Sequence, residues 1–118
     1  MTIPSTAPVA EDVMDPADIV DYVIDLSPLL DEGESFSQID FAVMPESVLL
    51  GLGILTVAPH EPEEFQPGQM RIWVTVDASS RADTAWQGEG SPCGIEFTAT
   101  TDRSRTFQRT VAIKVLQQ

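Results

Sequence analysis

The chain has few of the residues that most enzymes and nucleic-acid-binding proteins use. Its 118 residues include one cysteine, one histidine and 6 Lys and Arg against 19 Asp and Glu, which gives a formal net charge of -13. A single cysteine excludes an intramolecular disulfide and a cysteine-based zinc site. Because the chain also has only one histidine, it has almost none of the residues from which catalytic triads and dyads are built. Because so acidic a chain cannot neutralise phosphates, we expect neither a nucleic-acid partner nor binding to an anionic membrane.

Long apolar runs and an export signal are missing as well. The sequence has no run of about 18 apolar residues that could span a membrane, and it opens without the basic and apolar regions of a signal peptide. Together with the low cysteine content, this favours synthesis and folding in a reducing cytoplasm. The apolar share of 42% and the charged share of 21% are ordinary for a globular protein, and the length predicts one domain.

The residues that could carry chemistry do not form a convincing site. Cys93 has no helix start or histidine near it, so we expect a small buried hydrophobic residue. The segment Asp31-Glu32-Gly33-Glu34 offers oxygens to calcium but lacks the twelve-residue loop pattern with its terminal Glu. The candidate carboxylate pairs for glycoside hydrolysis are Asp21 with Asp25 and Glu61 with Glu63 and Glu64. No cluster of substrate-stacking aromatics accompanies them, so we predict no catalytic residue, metal or cofactor, and a protein that is not an enzyme.

Alternation of apolar and polar residues predicts an all-β fold. The segments with this pattern are 20–26, 35–44, 70–76, 93–101 and 106–115. Residues 48–57 form an apolar element in which Gly51 and Gly53 argue against a helix and suggest a bulge or a close backbone approach. Residues 58–69 hold three prolines and predict a loop, while short helical turns suit 45–49 or 81–86. We therefore predict an antiparallel β-sandwich of six to seven strands.

An extended arm, residues 1–16, is predicted to precede a sandwich domain of residues 17–118. Three prolines interrupt the arm and its residues follow no period, so a neighbouring molecule would have to order it. Ile3, Val9, Val13 and Met14 are then the candidate interface residues of the arm. Trp73 and Trp86 are the other candidates, because tryptophan is enriched at binding hot spots. The alternative for both tryptophans is packing within the sandwich.

The negative charge is confined to one half of the sequence. Residues 1–70 hold 14 acidic and no basic residues, whereas residues 71–118 hold 5 acidic and all 6 basic residues, so the two halves carry -14 and +1. Since a sandwich interleaves both halves, we expect one acidic face or end on the folded domain. Such a face should meet a basic or polar neighbour, and it should govern orientation and partner choice more than affinity.

Two segments, one near each end of the chain, carry a recognisable pattern. Residues 15–27 open with Asp-Pro and an acidic and apolar stretch that reaches Asp21-Tyr22 and then Asp25-Leu26-Ser27. Residues 95–115 form a Thr-rich strand that turns through a short polar loop into an Arg-Thr-apolar-x-Ile-x-Val strand. In both segments the chain resembles the phage fiber–tail adaptor proteins, a family of small virion proteins of tailed bacteriophages.

This resemblance implies an immunoglobulin-like β-sandwich without catalytic activity. It implies a virion structural protein that links tail components to tail fibers, made in the host cytoplasm and present as a homo-oligomer or in many copies. The expected partners are other virion proteins of the tail, fiber or capsid. A capsid decoration (cement) protein on the phage head is the alternative with the same fold and arm, and a carbohydrate-binding β-sandwich is a more remote one.

Overall fold

Seven strands and one short helix form the regular structure in the computed structural model, which describes residues 12–118. The strands are β1 (Ile19–Asp25), β2 (Phe36–Val43), β3 (Leu52–Ile54), β4 (Glu63–Gln66), β5 (Gln69–Val76), β6 (Ser91–Thr101) and β7 (Thr106–Val115). The helix α1 spans Pro45–Leu49, and 3-10 turns cover Ser27–Leu29, Ala78–Ser80 and Thr84–Trp86. No helix in this described range is long and apolar enough to cross a membrane.

The strands form two antiparallel sheets. In the four-stranded sheet, β5 pairs with β1 along one edge and with both β3 and β4 along the other. In the three-stranded sheet, β6 lies between β2 and β7. The prediction of an all-β, antiparallel sandwich is confirmed, and its seven strands fall within the predicted number.

Strands with one buried face were predicted well, and an exposed strand was not. The segments predicted as strands match β1, β2, β5, β6 and β7 to within two residues at either end, and the helical turn predicted at 45–49 is α1. The prediction that residues 58–69 are a loop is wrong, because β4 lies within them. All four residues of β4 are exposed, so the strand has no buried face and no alternating pattern. Pairing with β5 forms it, through a turn at Pro67-Gly68 in which Gly68 has a φ of 82°.

The core lies between the two sheets and draws on the inward residues of β5, β6 and β7. Its fully buried members include Ile72, Val74 and Val76 from β5 and Phe97 and Ile113 from β6 and β7. Cys93 is also fully buried, which confirms the expectation of a small hydrophobic residue. Burial raises the pKa of its thiol to about 11, so the thiolate is scarce at neutral pH.

The described end of the predicted arm is part of this core. Met14 is fully buried and forms a parallel bridge to Val115. Its N–H donates to the Lys114 carbonyl at 3.0 Å, and its carbonyl accepts from the Leu116 N–H at 2.9 Å. Met14 was a candidate for an interface with another molecule, but the structure places it inside its own domain. A single backbone bridge between residues so distant in sequence produces no pattern in the sequence around Met14.

A buried ion pair joins the segment between β1 and β2 to the turn between β6 and β7. The Glu34 side chain is fully buried, and the Arg105 Nε donates to its Oε2 at 2.9 Å while a second Arg105 nitrogen contacts its Oε1. The Asp31 N–H donates to the same carboxylate at 2.9 Å. Arg105 and this N–H together hold the pKa of the Glu34 carboxyl well below its usual range. The oxygens proposed for calcium at residues 31–34 are thus engaged by an arginine.

Met14→Ala should destabilise the domain by about 2–5 kcal/mol, because it leaves a cavity in a packed core. The free energy of unfolding from urea denaturation measures this effect. Val13→Ala is the matched control, since Val13 is adjacent and 42% exposed, and it should stay within about 0.5 kcal/mol of the wild type. Equal effects of the two substitutions would contradict the placement of Met14 in the core.

Glu34→Gln should destabilise the protein most at neutral pH and progressively less as the pH falls. A carboxyl whose folded-state pKa is depressed stabilises the fold above its unfolded pKa of about 4.3, and this contribution is lost as the pH falls toward the folded value. Urea midpoints of wild type and variant should therefore differ fully at pH 7 and begin to converge below about pH 4. Comparing two proteins cancels the relief of overall charge repulsion that acid gives to both. A difference independent of pH would contradict the ion pair.

Candidate functional site

The outer face of the four-stranded sheet combines apolar, aromatic and charged side chains. Successive strand residues point to opposite faces, so the residues of β5 that do not enter the core point outward. These outward residues are Gln69, Arg71, Trp73 and Thr75, and they pair in register with Asp25, Val23, Asp21 and Ile19 of β1. We call this surface the outer face.

Apolar side chains lie along the outer face and keep part of their surface exposed. Ile19 and Phe65 are each 49% exposed, and Val23 is 41% exposed. Trp73 is half-buried and lies diagonally across from both Ile19 and Val23 in the β1–β5 register, within reach of an indole ring. We call these four residues the apolar strip. Large apolar side chains at neighbouring exposed positions are typical of interaction surfaces.

Arg71 lies between two carboxylates and an aromatic ring in the middle of the outer face. Its guanidinium is 3.2 Å from Glu63 and 3.5 Å from Asp21, and it stacks over the Phe65 ring at 4.5 Å from the centroid. The arginine therefore fixes Phe65 beside β5 and neutralises part of the local charge. Exposed pairs of this kind contribute about 0–1 kcal/mol each, so they orient side chains more than they stabilise the fold.

The border of the outer face stays acidic. Asp25 ends β1 on the outward side, and the exposed Glu61 follows His60. Within residues 12–118, no Lys or Arg lies at salt-bridge distance from Asp25 or Glu61, and the outward carboxylates of Asp21 and Glu63 share Arg71. Asp25 instead accepts hydrogen bonds from the Ser27 hydroxyl and N–H, which lower the pKa of its carboxyl. The border thus carries negative charge at neutral pH that the described chain leaves uncompensated.

His60 packs against the central tryptophan. Its ring meets Trp73 edge-on, with the centroids 4.6 Å apart. Sequence reasoning did not connect these two residues, because His60 follows β3 in a proline-rich segment. His60 therefore occupies one side of the Trp73 indole.

Gly53 is the one outward position of β3, and nothing in the fold requires a glycine there. It pairs with Thr75 on the outer face, its φ is not positive, and a Cβ built on it would meet no heavy atom within 4 Å. Gly51 differs, because its φ is 95° and a Cβ would come within 2.6 Å of Ser80. The close approach predicted for the two glycines is found at Gly51 alone. Gly53 leaves a bare stretch of backbone beside Thr75.

The structure separates the predicted interface residues into three groups. Trp73 and Val13 reach the surface, whereas Trp86 is fully buried like Met14. The indole N–H of Trp86 donates to the Ser80 carbonyl at 2.8 Å, so this tryptophan packs within the sandwich instead of forming an interface. Ile3 and Val9 lie outside the described residues.

The other apolar residues of the surface were missed by sequence reasoning. Ile19 and Val23 occupy the outward positions of a strand whose opposite positions are buried, and this parity was a readable signal. Phe65 had no such signal, because it lies in a strand predicted as a loop.

The arrangement suits binding better than catalysis. Asp21 and Asp25 point outward four residues apart on one strand, which separates them by about 13 Å, more than the roughly 5–10 Å of a glycosidase pair. Among the described residues, no three His, Cys, Asp or Glu side chains are grouped so that they could hold a metal ion. What the outer face offers is apolar area with an acidic border.

Acrylamide should quench Trp73 strongly and Trp86 weakly, because only Trp73 has exposed surface. Trp86→Phe leaves Trp73 as the sole tryptophan, and Trp73→Phe leaves Trp86. We expect the Stern–Volmer constant of the first variant to be severalfold larger, measured on folded protein without denaturant. Similar constants in the two variants would contradict the assignment of one tryptophan to the outer face and the other to the core.

Comparison with known proteins gives no family or relative for this surface. A scan against protein-family models found no match, and a search of curated proteins found none at a significant level. The function of the outer face is therefore inferred from the residues that form it.

Proposed function

We propose that the protein is a non-enzymatic structural protein of a bacteriophage virion, an adaptor that links tail components to tail fibers in several copies per particle. The observation that carries the proposal is the apolar strip with its acidic border on the outer face. A surface of this composition is suited to holding another protein. The resemblance of residues 15–27 and 95–115 to phage fiber–tail adaptor proteins gives the kind of assembly.

The two segments that carry the resemblance belong to different sheets of the sandwich. Residues 15–27 contain β1 of one sheet, and residues 95–115 contain most of β6 and all of β7 of the other. Their ends are linked through adjoining residues. Met14, just before the first segment, bridges Val115, and Asp15 accepts a hydrogen bond at 2.9 Å from the N–H of Gln118, which follows the second segment.

The strand order supports an immunoglobulin-like arrangement as part of this proposal. In the constant-type immunoglobulin domain, three of the four strands of one sheet follow the order B-E-D, and the other sheet follows C-F-G. Here β1, β5 and β3 take the first order and β2, β6 and β7 the second. The Met14 bridge to β7 then takes the place of a strand before B.

An adaptor of this type works by adding modest contacts over many copies. The apolar strip is small beside a standard protein interface of about 800 Å² per partner, so one copy should bind weakly. Linked copies raise the effective concentration of each further contact, and their avidity exceeds a single affinity by orders of magnitude. The acidic border directs each copy toward the oppositely charged part of its partner.

The aromatic residues of the outer face favour this function over carbohydrate binding. Sugar-binding surfaces present open aromatic faces, but here Arg71 covers Phe65 and His60 covers one side of Trp73. Each ring thus has less open face for a stacked sugar, although part of each side chain stays exposed.

Electron microscopy of intact particles tests the proposal. We expect several copies at the junction of tail and fibers, and the attachment should weaken as salt is raised, because the acidic face is screened. Copies placed on the head shell would instead support the capsid decoration function. Purified particles that lack the protein would contradict a virion role altogether.

A further inference from the structure

We infer that the outer face docks a basic segment of a partner protein, and that an apolar side chain of this segment lies over the bare backbone at Gly53. The identity of the partner as a virion protein rests on the proposed function, but the docking chemistry does not. Three observations carry the inference: the unexplained glycine, the partly exposed apolar strip, and the surplus of outward carboxylates over arginine.

Gly53 is the first observation. A glycine within a strand weakens it, and it often marks a place where a ligand or another backbone comes close. The fold needs no glycine here, since the φ is not positive and a Cβ would meet no atom of the chain within 4 Å. The space above Gly53 is therefore free for an atom from outside.

The neighbours of Gly53 define the shape of this space. Thr75 lies directly beside it on β5, and Trp73, whose carbonyl accepts from the Leu55 N–H at 2.9 Å, lies diagonally across. Ile19 lies beyond Thr75 in the same row of the sheet. Gly53 and Thr75 thus lie beside the partly exposed side chains of Trp73 and Ile19, against which one apolar side chain could pack.

The charge of the border selects the partner. Asp25 and Glu61 have no basic partner in residues 12–118, and Asp21 and Glu63 share one arginine, so a Lys- or Arg-bearing segment would supply the missing charge. A second copy of the chain would bring the same acids against them, and like charges across an interface are unfavourable. Phosphate-bearing nucleic acid would be repelled for the same reason.

Substitutions at Gly53 test the inference with the full chain in particles. Gly53→Lys adds bulk and the charge of the proposed partner, whereas Gly53→Glu adds similar bulk with the opposite charge. Supplied to host cells infected by phage lacking the gene, Gly53→Lys should lower the number of copies per particle about tenfold, and Gly53→Glu clearly less. Gln108→Lys, which adds the same charge on the exposed face of the three-stranded sheet, should match the wild type.

The outcomes separate the inference from the proposed function. If the wild-type protein is found in particles and Gly53→Lys is found there at the same copy number, the docking site is overturned while the virion role stays intact. Equal losses for Gly53→Lys and Gln108→Lys would overturn it too, because the effect would not depend on location. The urea midpoint of each variant checks its fold, and since the Gly53 site is open, we expect no loss there.

A titration of the isolated protein decides the docking chemistry if wild type is missing from particles. The probes are acetyl-Lys-Phe-Lys-Leu-Lys-amide and its counterpart with Glu in place of Lys, followed by amide NMR shifts. The Lys peptide should shift the amides of Gly53, Trp73 and Thr75 most, and Gly53→Lys should weaken its binding about tenfold. Shifts spread evenly over both sheets, or equal binding of the two peptides, would overturn the inference.

Discussion

The register of β5 is the constraint on which both the core and the outer face depend. This strand sends Ile72, Val74 and Val76 into the space between the sheets and Arg71 and Trp73 outward. Because side chains alternate with a period of two, a slip of one residue would exchange the two sets. The buried valines therefore hold the register against β1, and the register in turn places Trp73 beside Ile19 and Val23. Stability of the core and geometry of the surface are properties of one strand.

Sequence reasoning found the parts of the fold that have a local pattern and missed those that depend on distant contacts. Alternation identified β1, β5, β6 and β7 and placed Trp73 on an outward face. Neither the Met14 bridge to β7 nor the pairing of Glu34 with Arg105 has such a pattern, since each joins segments far apart in the chain. The location of Trp86, in the core or at an interface, could not be predicted for a related reason. It lies in a 3-10 turn, and its carbonyl accepts a hydrogen bond from the N–H of Gln117, which is distant in sequence.

The uneven distribution of charge along the sequence produces ion pairs between the two halves of the chain in the folded domain. Arg71, Arg103 and Arg105 all come from the basic half, and each contacts the acidic half. Arg71 pairs with Asp21 and Glu63, Arg105 pairs with Glu34, and Arg103 donates to the Glu32 carbonyl at 3.0 Å. The two halves are thus joined by ion pairs as well as by strands that interleave in the sandwich. The 19 acids far outnumber these arginines, so most of the negative charge remains on the surface.

That surplus gives the outer face two properties at once. Exposed apolar side chains promote self-association, but a border of like charges opposes it, because two copies meeting through this face would bring acids together. Copies gathered in one assembly would therefore contact a common partner through this face instead of one another. A partner on this face would have to offer apolar area and positive charge together, since apolar area alone leaves the acids desolvated and unpaired. The acids that would oppose self-association through this face would therefore also restrict what it can bind.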